Sequence, residues 1–242
     1  MTERTTNDPS LRSADVQAYY DDVYFQPGRF YTRPLGDYST KLSWLKPKPG
    51  ERLLDCSCGA GGAVLVAQNL GLGVCGTDLS RQGLQRARQS GARGLVCAIA
   101  EHLPLASACV DVLTCLGSLE HYLDPAAALR EMRRVMRPAA RALILVPNYY
   151  YWRNVLHAAI YGDHRTGHHQ ILERVDTYVG WRRLIESNGL EVTSVHRDTG
   201  ASDPVLVRPF WLVPRRLLRR LAERLTPLYL TYQFGFVCRR AD

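Results

Sequence analysis

Leu53-Leu54-Asp55-Cys56-Ser57-Cys58-Gly59-Ala60-Gly61-Gly62 is the stretch on which the fold turns. It opens as a short apolar run closed by an acid and becomes a glycine-rich turn. The turn hands over to a helix-forming segment, Gly62 to Leu70. Glycine lets the backbone turn tightly and approach a ligand with no Cβ in the way. A turn feeding a helix N-terminus also aims unpaired N–H groups and the helix dipole at whatever lies above it. Outward from this point the chain alternates. Strand-like runs lie at Arg52–Cys56, Gly73–Thr77, Leu95–Ile99, Val110–Cys115 and Ala142–Val146, the last stopped by Pro147. Between them fall amphipathic segments. One is Ser80–Ser90, with Ser80 placed as N-cap; another opens on Asp124-Pro125, an N-cap and N1 pair, and runs to about Met136. Short apolar strands alternating with helices imply a parallel, doubly wound α/β sheet covered on both faces, with right-handed crossovers.

Both ends of the chain leave this rhythm. Residues 11–46 are rich in tyrosine and finish in the linker-like turn Lys46-Pro47-Lys48-Pro49-Gly50. After Val146 comes an aromatic and histidine-rich stretch, Tyr149 to His169, then a helix from about Val175 to Ser187. A strand at Leu190–Val195 and a last strand near Leu228–Val237 would close the sheet as an antiparallel pair. The organisation expected is an N-terminal cap over 1–50, a cofactor-binding core over 51–148, and an acceptor-side insertion over 149–242 completing the same domain.

The 242 residues carry 46% hydrophobic and 22% charged side chains, the balance of a folded globular chain. The net charge of +8 gathers late, where Arg208, Arg215, Arg216, Arg219, Arg220 and Arg224 face only Glu223. With few interleaved aromatics this is unlike a nucleic-acid groove, and no nucleic-acid partner is expected. Leu217, Leu218, Leu221 and Leu225 share one helical face, so 208–225 either packs on the sheet or makes a peripheral contact with an anionic membrane. Seven cysteines without paired CxxC motifs read as reduced thiols, and the N-terminus lacks an apolar leader. A cytoplasmic location follows as the expectation.

The acids decide which nucleotide the turn would suit. A dinucleotide site wants G-x-G-x-x-G directly after the strand, and a P-loop wants its lysine. Here Asp55 closes the strand, where it would repel a pyrophosphate but welcome an ammonium and a sulfonium, favouring S-adenosylmethionine over NAD. One βα unit later Gly76-Thr77-Asp78-Leu79-Ser80 puts Asp78 at the tip of the second strand, placed to accept from ribose hydroxyls. Its competing role is to cap the helix that starts at Ser80.

These segments resemble the class I methyltransferases, in particular the group of ubiquinone and menaquinone biosynthesis methyltransferases. Leu53–Gly62 is similar to that family's LDxGCGxG loop, and Gly76–Ser80 to its ribose-binding acid. Ala100-Glu101-His102-Leu103-Pro104-Leu105 is similar to its A-E-x-L-P-F turn beside the adenine, and Cys115-Leu116-Gly117-Ser118-Leu119-Glu120-His121 to the segment beneath the methionine moiety. Ala128–Pro138 is similar to the helix before the fifth strand. The resemblance implies a Rossmann-like, mostly parallel seven-stranded sheet with an antiparallel C-terminal strand and helices on both faces. It implies S-adenosyl-L-methionine as cofactor, S-adenosyl-L-homocysteine as product, and Tyr20, Asp55, Ser57, Gly59, Gly61, Asp78, Leu79, Ala100, Glu101 and Leu116 as binding residues. Two positions depart from the pattern. Ser57 replaces a glycine and fits there with a negative φ, its hydroxyl then reaching the methionine end. Ile99 stands where an Asp usually bonds the adenine amino group.

Methyl transfer is an in-line displacement at an activated carbon, so the protein chiefly aligns the partners and excludes water. His121, after the fourth strand, is the first candidate for a general base, with a packing or capping role as its competitor. His168 and His169, with His164, are further candidates in the insertion, as a polar lid or a solvated loop. No carboxylate or cysteine completes a metal set with them, and no metal is assigned. Tyr20 either touches the cofactor carboxylate or packs in the core. Tyr149, Tyr150, Tyr151 and Trp152 either suit a flat, aromatic or lipid-like small-molecule acceptor or pack in the core; O-methylation is favoured over N or C. The competing functions are a non-catalytic methyltransferase-fold partner or regulatory subunit, and an NAD-binding oxidoreductase.

Overall fold

The computed structural model describes residues 11–26, 33–162, 171–199 and 225–241. The element order is α1 (Ser13–Phe25), α2 (Leu35–Leu45), β1 (Arg52–Cys56), α3 (Gly62–Asn69), β2 (Gly73–Asp78), α4 (Arg81–Gln89), β3 (Leu95–Cys97) and β4 (Val110–Leu116). There follow α5 (Pro125–Val135), β5 (Met136–Pro147), α6 (Trp152–Tyr161), α7 (Tyr178–Ser187), β6 (Leu190–Asp198) and β7 (Gln233–Arg240). The strands form one seven-stranded sheet in the order β3-β2-β1-β4-β5-β7-β6. β1 to β5 pair in parallel, and β7 runs antiparallel to both β5 and β6. The order reverses between β1 and β4, and ligands of open α/β sheets lie in the crevice at such a switch point.

The parallel strands are apolar along their length because helices cover both faces. One face packs Leu53, Val112, Leu143 and Val237 against Leu42 and Leu45 of α2 and Val66 and Ala67 of α3. The other packs Leu54, Leu113 and Ile144 against Ala128, Leu129 and Met132 of α5 and Trp181 and Ile185 of α7. Alternation along β1 and β4 therefore sends Asp55 and Thr114 to the α2–α3 side, where they meet.

The helix starts follow their caps. Ser80 Oγ accepts from Gly83 N at 3.0 Å, and Asp124 Oδ1 accepts from Ala127 N at 2.9 Å. The last turn moves two boundaries. Thr177 Oγ1 accepts from Gly180 N at 3.2 Å, so α7 starts at Tyr178 and not near Val175. A 3₁₀ turn at Leu228–Leu230 and a Thr231 hydroxyl bonded to the Asp198 carbonyl at 2.7 Å occupy the first residues of the expected last strand, which begins at Gln233. β3 stops at Cys97, short of Ile99, and β5 starts six residues early, at Met136, past a bulge at Val110/Val112.

Candidate cofactor and acceptor site

The Gly-rich turn leaves β1 through three left-handed residues, Ser57 at φ 58°, Gly59 at 52° and Gly61 at 81°. The reading of Ser57 with a negative φ is thus corrected: a serine occupies a conformation that costs an L-residue about 1–2 kcal/mol. Its hydroxyl lies 2.9 Å from the Tyr122 hydroxyl, which binds it across the cleft floor. Gly61 is fixed by packing as well as by φ, since a Cβ there would lie 2.9 Å from Ala87 Cβ.

Two buried carboxylates stand at the ends of neighbouring strands. Asp55 accepts from Thr114 Oγ1 at 2.6 Å. Burial, with the nearby Asp78 charge adding and the Thr114 bond opposing, pushes its pKa up to about 7. Asp78 accepts from Gly59 N at 2.7 Å and from Ser80 N at 2.8 Å, and so ties the first turn to the second. Burial pushes its pKa up to about 6, against those two bonds. An acid that burial discharges is one that a cation above it would recharge.

An open cleft lies over these turns. Ser57 and Leu79, the wall Ala98–Glu101, and His121–Leu123 line it, with Ser13 and Val16 of α1 at its mouth. Leu79, Ala98, Ile99 and Ala100 give that wall an apolar face suited to a planar ring. Glu101 faces the cleft, but its Oε1 accepts from Leu123 N at 3.0 Å and Asp124 N at 3.3 Å, so it shapes the wall. α1 closes over the site through Asp21, whose Oδ1 accepts from Ser80 Oγ at 2.7 Å and Gln82 N at 3.1 Å. Tyr20 is half-buried, its ring 6.5 Å from that of His121. Burial first, then Tyr19, Glu120 and Asp78, raise its hydroxyl above the ordinary phenol range.

Leu116 packs toward α2 and α3, outside the cleft lining, and the turn after it delivers Glu120 and His121. His121 Nδ1 lies 2.6 Å from the Leu172 carbonyl, an acceptor only, so Nδ1 carries the proton and neutral His121 has its lone pair on Nε2. That Nε2 is 3.8 Å from Glu120 Oε1. Arg174 donates to the carbonyls of Tyr122 and Leu123 and locks this turn in place.

Sequence reasoning passed over Glu120, which is buried with a pKa pushed up to about 8, chiefly by burial. It also passed over a buried ion network next to it. Arg33 reaches Asp37 at 3.3 Å, Asp198 at 3.2 Å and Gln233 Oε1 at 2.6 Å, while Lys41 reaches Asp37 at 2.7 Å and Asp198 at 3.2 Å. The i,i+4 spacing of Arg33, Asp37 and Lys41 was the available signal; the partners on β6 and β7 were not. His164, His168, His169 and residues 208–224 lie outside the described residues. Among the described residues no His, Cys, Asp and Glu cluster is arranged to hold a metal ion, and no helix is long and apolar enough to cross a membrane.

Residues 54–144 match the methyltransferase domain family. The chain is 33% identical over 111 residues to an O-methyltransferase of Pyrenophora dematioidea, covering 43% of this chain and 42% of that protein. It is 32% identical over 175 residues to the methyltransferase GfsG of Streptomyces halstedii, covering 66% of this chain and 61% of that one. It thus spans roughly half the length of these relatives, 42% and 61%. Among solved structures, the [4+2]-cyclase SpnF superimposes with a TM-score of 0.67 at 15% identity over 96% of this chain and 98% of that one. An S-adenosylmethionine-dependent methyltransferase of Mesorhizobium loti gives 0.62 at 18% identity, over 86% and 100%. A cyclase on the same architecture shows that the fold alone does not fix the chemistry. The sequence match over the turns that build the cleft, set in this sheet order, places residues 54–144 in the methyltransferase domain family.

Proposed function

We propose that this chain is an S-adenosylmethionine-dependent methyltransferase acting on the oxygen of a small-molecule acceptor. The observation that carries the reading is the pair of buried acids, Asp55 and Asp78, at the ends of adjacent strands, with Asp78 tied to the glycine turn through Gly59 N and with Ser57 and Leu79, just after them, lining the cleft. Both have raised pKa values, of about 7 and about 6, and both gain from a cationic ligand. Asp78, with lone pairs beyond its two backbone bonds, would hold the ribose hydroxyls. Leu79, Ile99 and Ala100 would hold the adenine, and Asp55 with the Ser57–Gly61 turn the methionine end. Tyr20 would close over it. O-methylation fits the name of one relative and the presence of a base.

S-adenosylmethionine, when bound, supplies a methyl carbon on a sulfonium, so the C–S bond breaks with its electron pair on sulfur as the methyl–oxygen bond forms. The chain holds the acceptor in line, excludes water beneath α1, and takes the acceptor proton. His121 Nε2 is the atom for that proton, because the Leu172 carbonyl holds the Nδ1–H. A base so placed contributes about 10²–10⁴-fold. The cap over 1–50 and the acceptor side over 149–242 would supply the walls that select the acceptor.

Titration calorimetry with S-adenosylmethionine, S-adenosylhomocysteine and NAD tests the reading. Binding of the adenosyl compounds alone, weakened at least tenfold (about 1.4 kcal/mol) by Asp78→Ala, supports it. Binding of NAD, or no loss in the variant, refutes it.

A further inference from the structure

The apolar stripe of α6 faces outward. Trp152, Val155, Leu156, Ala159 and Ile160 recur at i, i+3, i+4, i+7 and i+8, the spacing of one helical face. A globular chain turns such a face onto its core, as α5 does with Ala128, Leu129 and Met132. In α6 every residue of the stripe is exposed, Leu156 at 51% and Ile160 at 62%, whereas Arg153, Asn154 and His157 on the opposite side are half-buried. No residue of α6 is buried. An exposed, contiguous apolar patch of this kind marks an interaction surface.

The helix is anchored at its root. Tyr151, just before α6, is buried, with its ring 5.2 Å from that of Tyr232. Asn148 Nδ2 donates to the Tyr229 carbonyl at 3.0 Å and the Thr231 carbonyl at 2.8 Å, and its Oδ1 accepts from Tyr150 N at 3.0 Å. Tyr149, Tyr150 and Tyr229 are exposed around this clamp and widen the patch with aromatic rings.

Charge indicates what covers it. Residues 149–162 hold Arg153 and His157 and no acid. Asp176 is the acid beside the root, its carbonyl accepting from Tyr149 N at 3.0 Å. The described chain returns to the root at Leu225, exposed like the stripe, and the sequence leading into it, 208–224, carries six arginines against Glu223 alone. A second copy of the chain would set these cations against its own. Aliphatic side chains bordered by Tyr, Trp and cations instead compose a helix that lies in the headgroup layer of an anionic bilayer. No described helix is long and apolar enough to cross a membrane, so such a contact is peripheral.

We infer that α6, with Tyr149, Tyr150 and Tyr229 at its root, docks on an anionic lipid surface. The stripe enters the boundary between headgroups and acyl chains, and Arg153 meets lipid phosphate. α6 follows the C-terminal end of β5, which runs parallel to β4, and the cleft opens at that same end of the sheet. Docking does not depend on which group the chain methylates.

The test is flotation of the full chain with two kinds of vesicle, phosphatidylcholine alone and equal parts phosphatidylcholine and phosphatidylglycerol. The expected result is binding to the mixed vesicles and at least tenfold weaker binding to phosphatidylcholine. Leu156→Ser with Ile160→Ser removes apolar surface and no charge, and should weaken binding to the mixed vesicles at least tenfold. Both side chains are exposed, so the melting temperature should stay that of the wild type. Ile160→Ser alone is the second variant, with at least a threefold loss expected should the pair melt early. A wild type that binds neither vesicle, or both equally, overturns the inference. So does a serine variant that binds as the wild type does, which would assign the contact to another part of the chain. A dimer in sedimentation velocity that the serine substitutions dissociate also overturns it, because the face would then belong to a second copy.

Discussion

Ser57 makes opposite contributions to stability, and two substitutions separate them. Its φ of 58° costs about 1–2 kcal/mol for any residue with a Cβ. Its hydroxyl bond to Tyr122, at 2.9 Å, returns about 0.5–1.5 kcal/mol. Ser57→Ala keeps the strain and loses the bond. The Tyr122 hydroxyl still meets Cys115 Sγ at 3.5 Å, so no buried group is orphaned and the loss stays near 1 kcal/mol. Ser57→Gly loses the same bond and relieves the strain, at a cost of about 0.4–1 kcal/mol in unfolded-chain entropy. Glycine should therefore sit close to wild type and above alanine. For a chain of this length 1 kcal/mol moves the melting temperature by about 2–4 °C. Scanning calorimetry of the three ligand-free proteins at one pH reads the order directly. An alanine variant as stable as the glycine variant, or more so, would mean that the turn is unstrained and that this reasoning is wrong.

Four further outcomes follow from the same contacts. Burial raises the pKa of Asp55 from 3.8 to about 7, so the folded chain keeps a proton that the unfolded chain releases. This group's contribution to stability is therefore lost as pH rises through that window and is level above it, and Asp55→Asn should flatten the fall in melting temperature between pH 5 and pH 7. Gly94→Ala sets a Cβ 2.2 Å from the Val74 carbonyl oxygen at a φ of 66°, and urea denaturation should show a loss of about 3 kcal/mol or more. Asp21→Ala removes the acceptor for Ser80 Oγ and Gln82 N, and hydrogen exchange should show α1 opening well before the sheet. With an acceptor in hand, His121→Ala should lower kcat by about 10²–10⁴-fold with little change in cofactor affinity; equal turnover would remove His121 as the base.

Much of the core was legible because its signals are local. The apolar runs gave the parallel strands, Ser80 and Asp124-Pro125 gave two helix starts, and Asp55 and Asp78, one βα unit apart, stand at the ends of β1 and β2. What the sequence hid is long-range. Nothing local says that Ser57 must turn left-handed; that comes from the Cys58 amide bonding back to Thr77 and from Tyr122 across the floor. The start of β7 was misplaced because Leu228–Leu230 looks like a strand by composition, whereas Pro227 and the Thr231–Asp198 bond make it a turn. Glu120 lay inside a quoted motif yet drew no role. Its surroundings come from far along the chain: Arg33 and Gln233, 87 residues before and 113 after it, stand with it around Gly117. His168 and His169 stay as sequence-level candidates, outside the described residues.

The most direct test of the central claim is to locate the cofactor on the chain. Ultraviolet cross-linking of methyl-tritiated S-adenosylmethionine, followed by peptide mapping, reads where it sits. The account predicts label in the peptides that hold Ser57–Gly61, Asp78–Ser80 or Ala98–Glu101, competed away by S-adenosylhomocysteine and lost in Asp78→Ala. Label confined to other peptides, or label that S-adenosylhomocysteine does not displace, would contradict it.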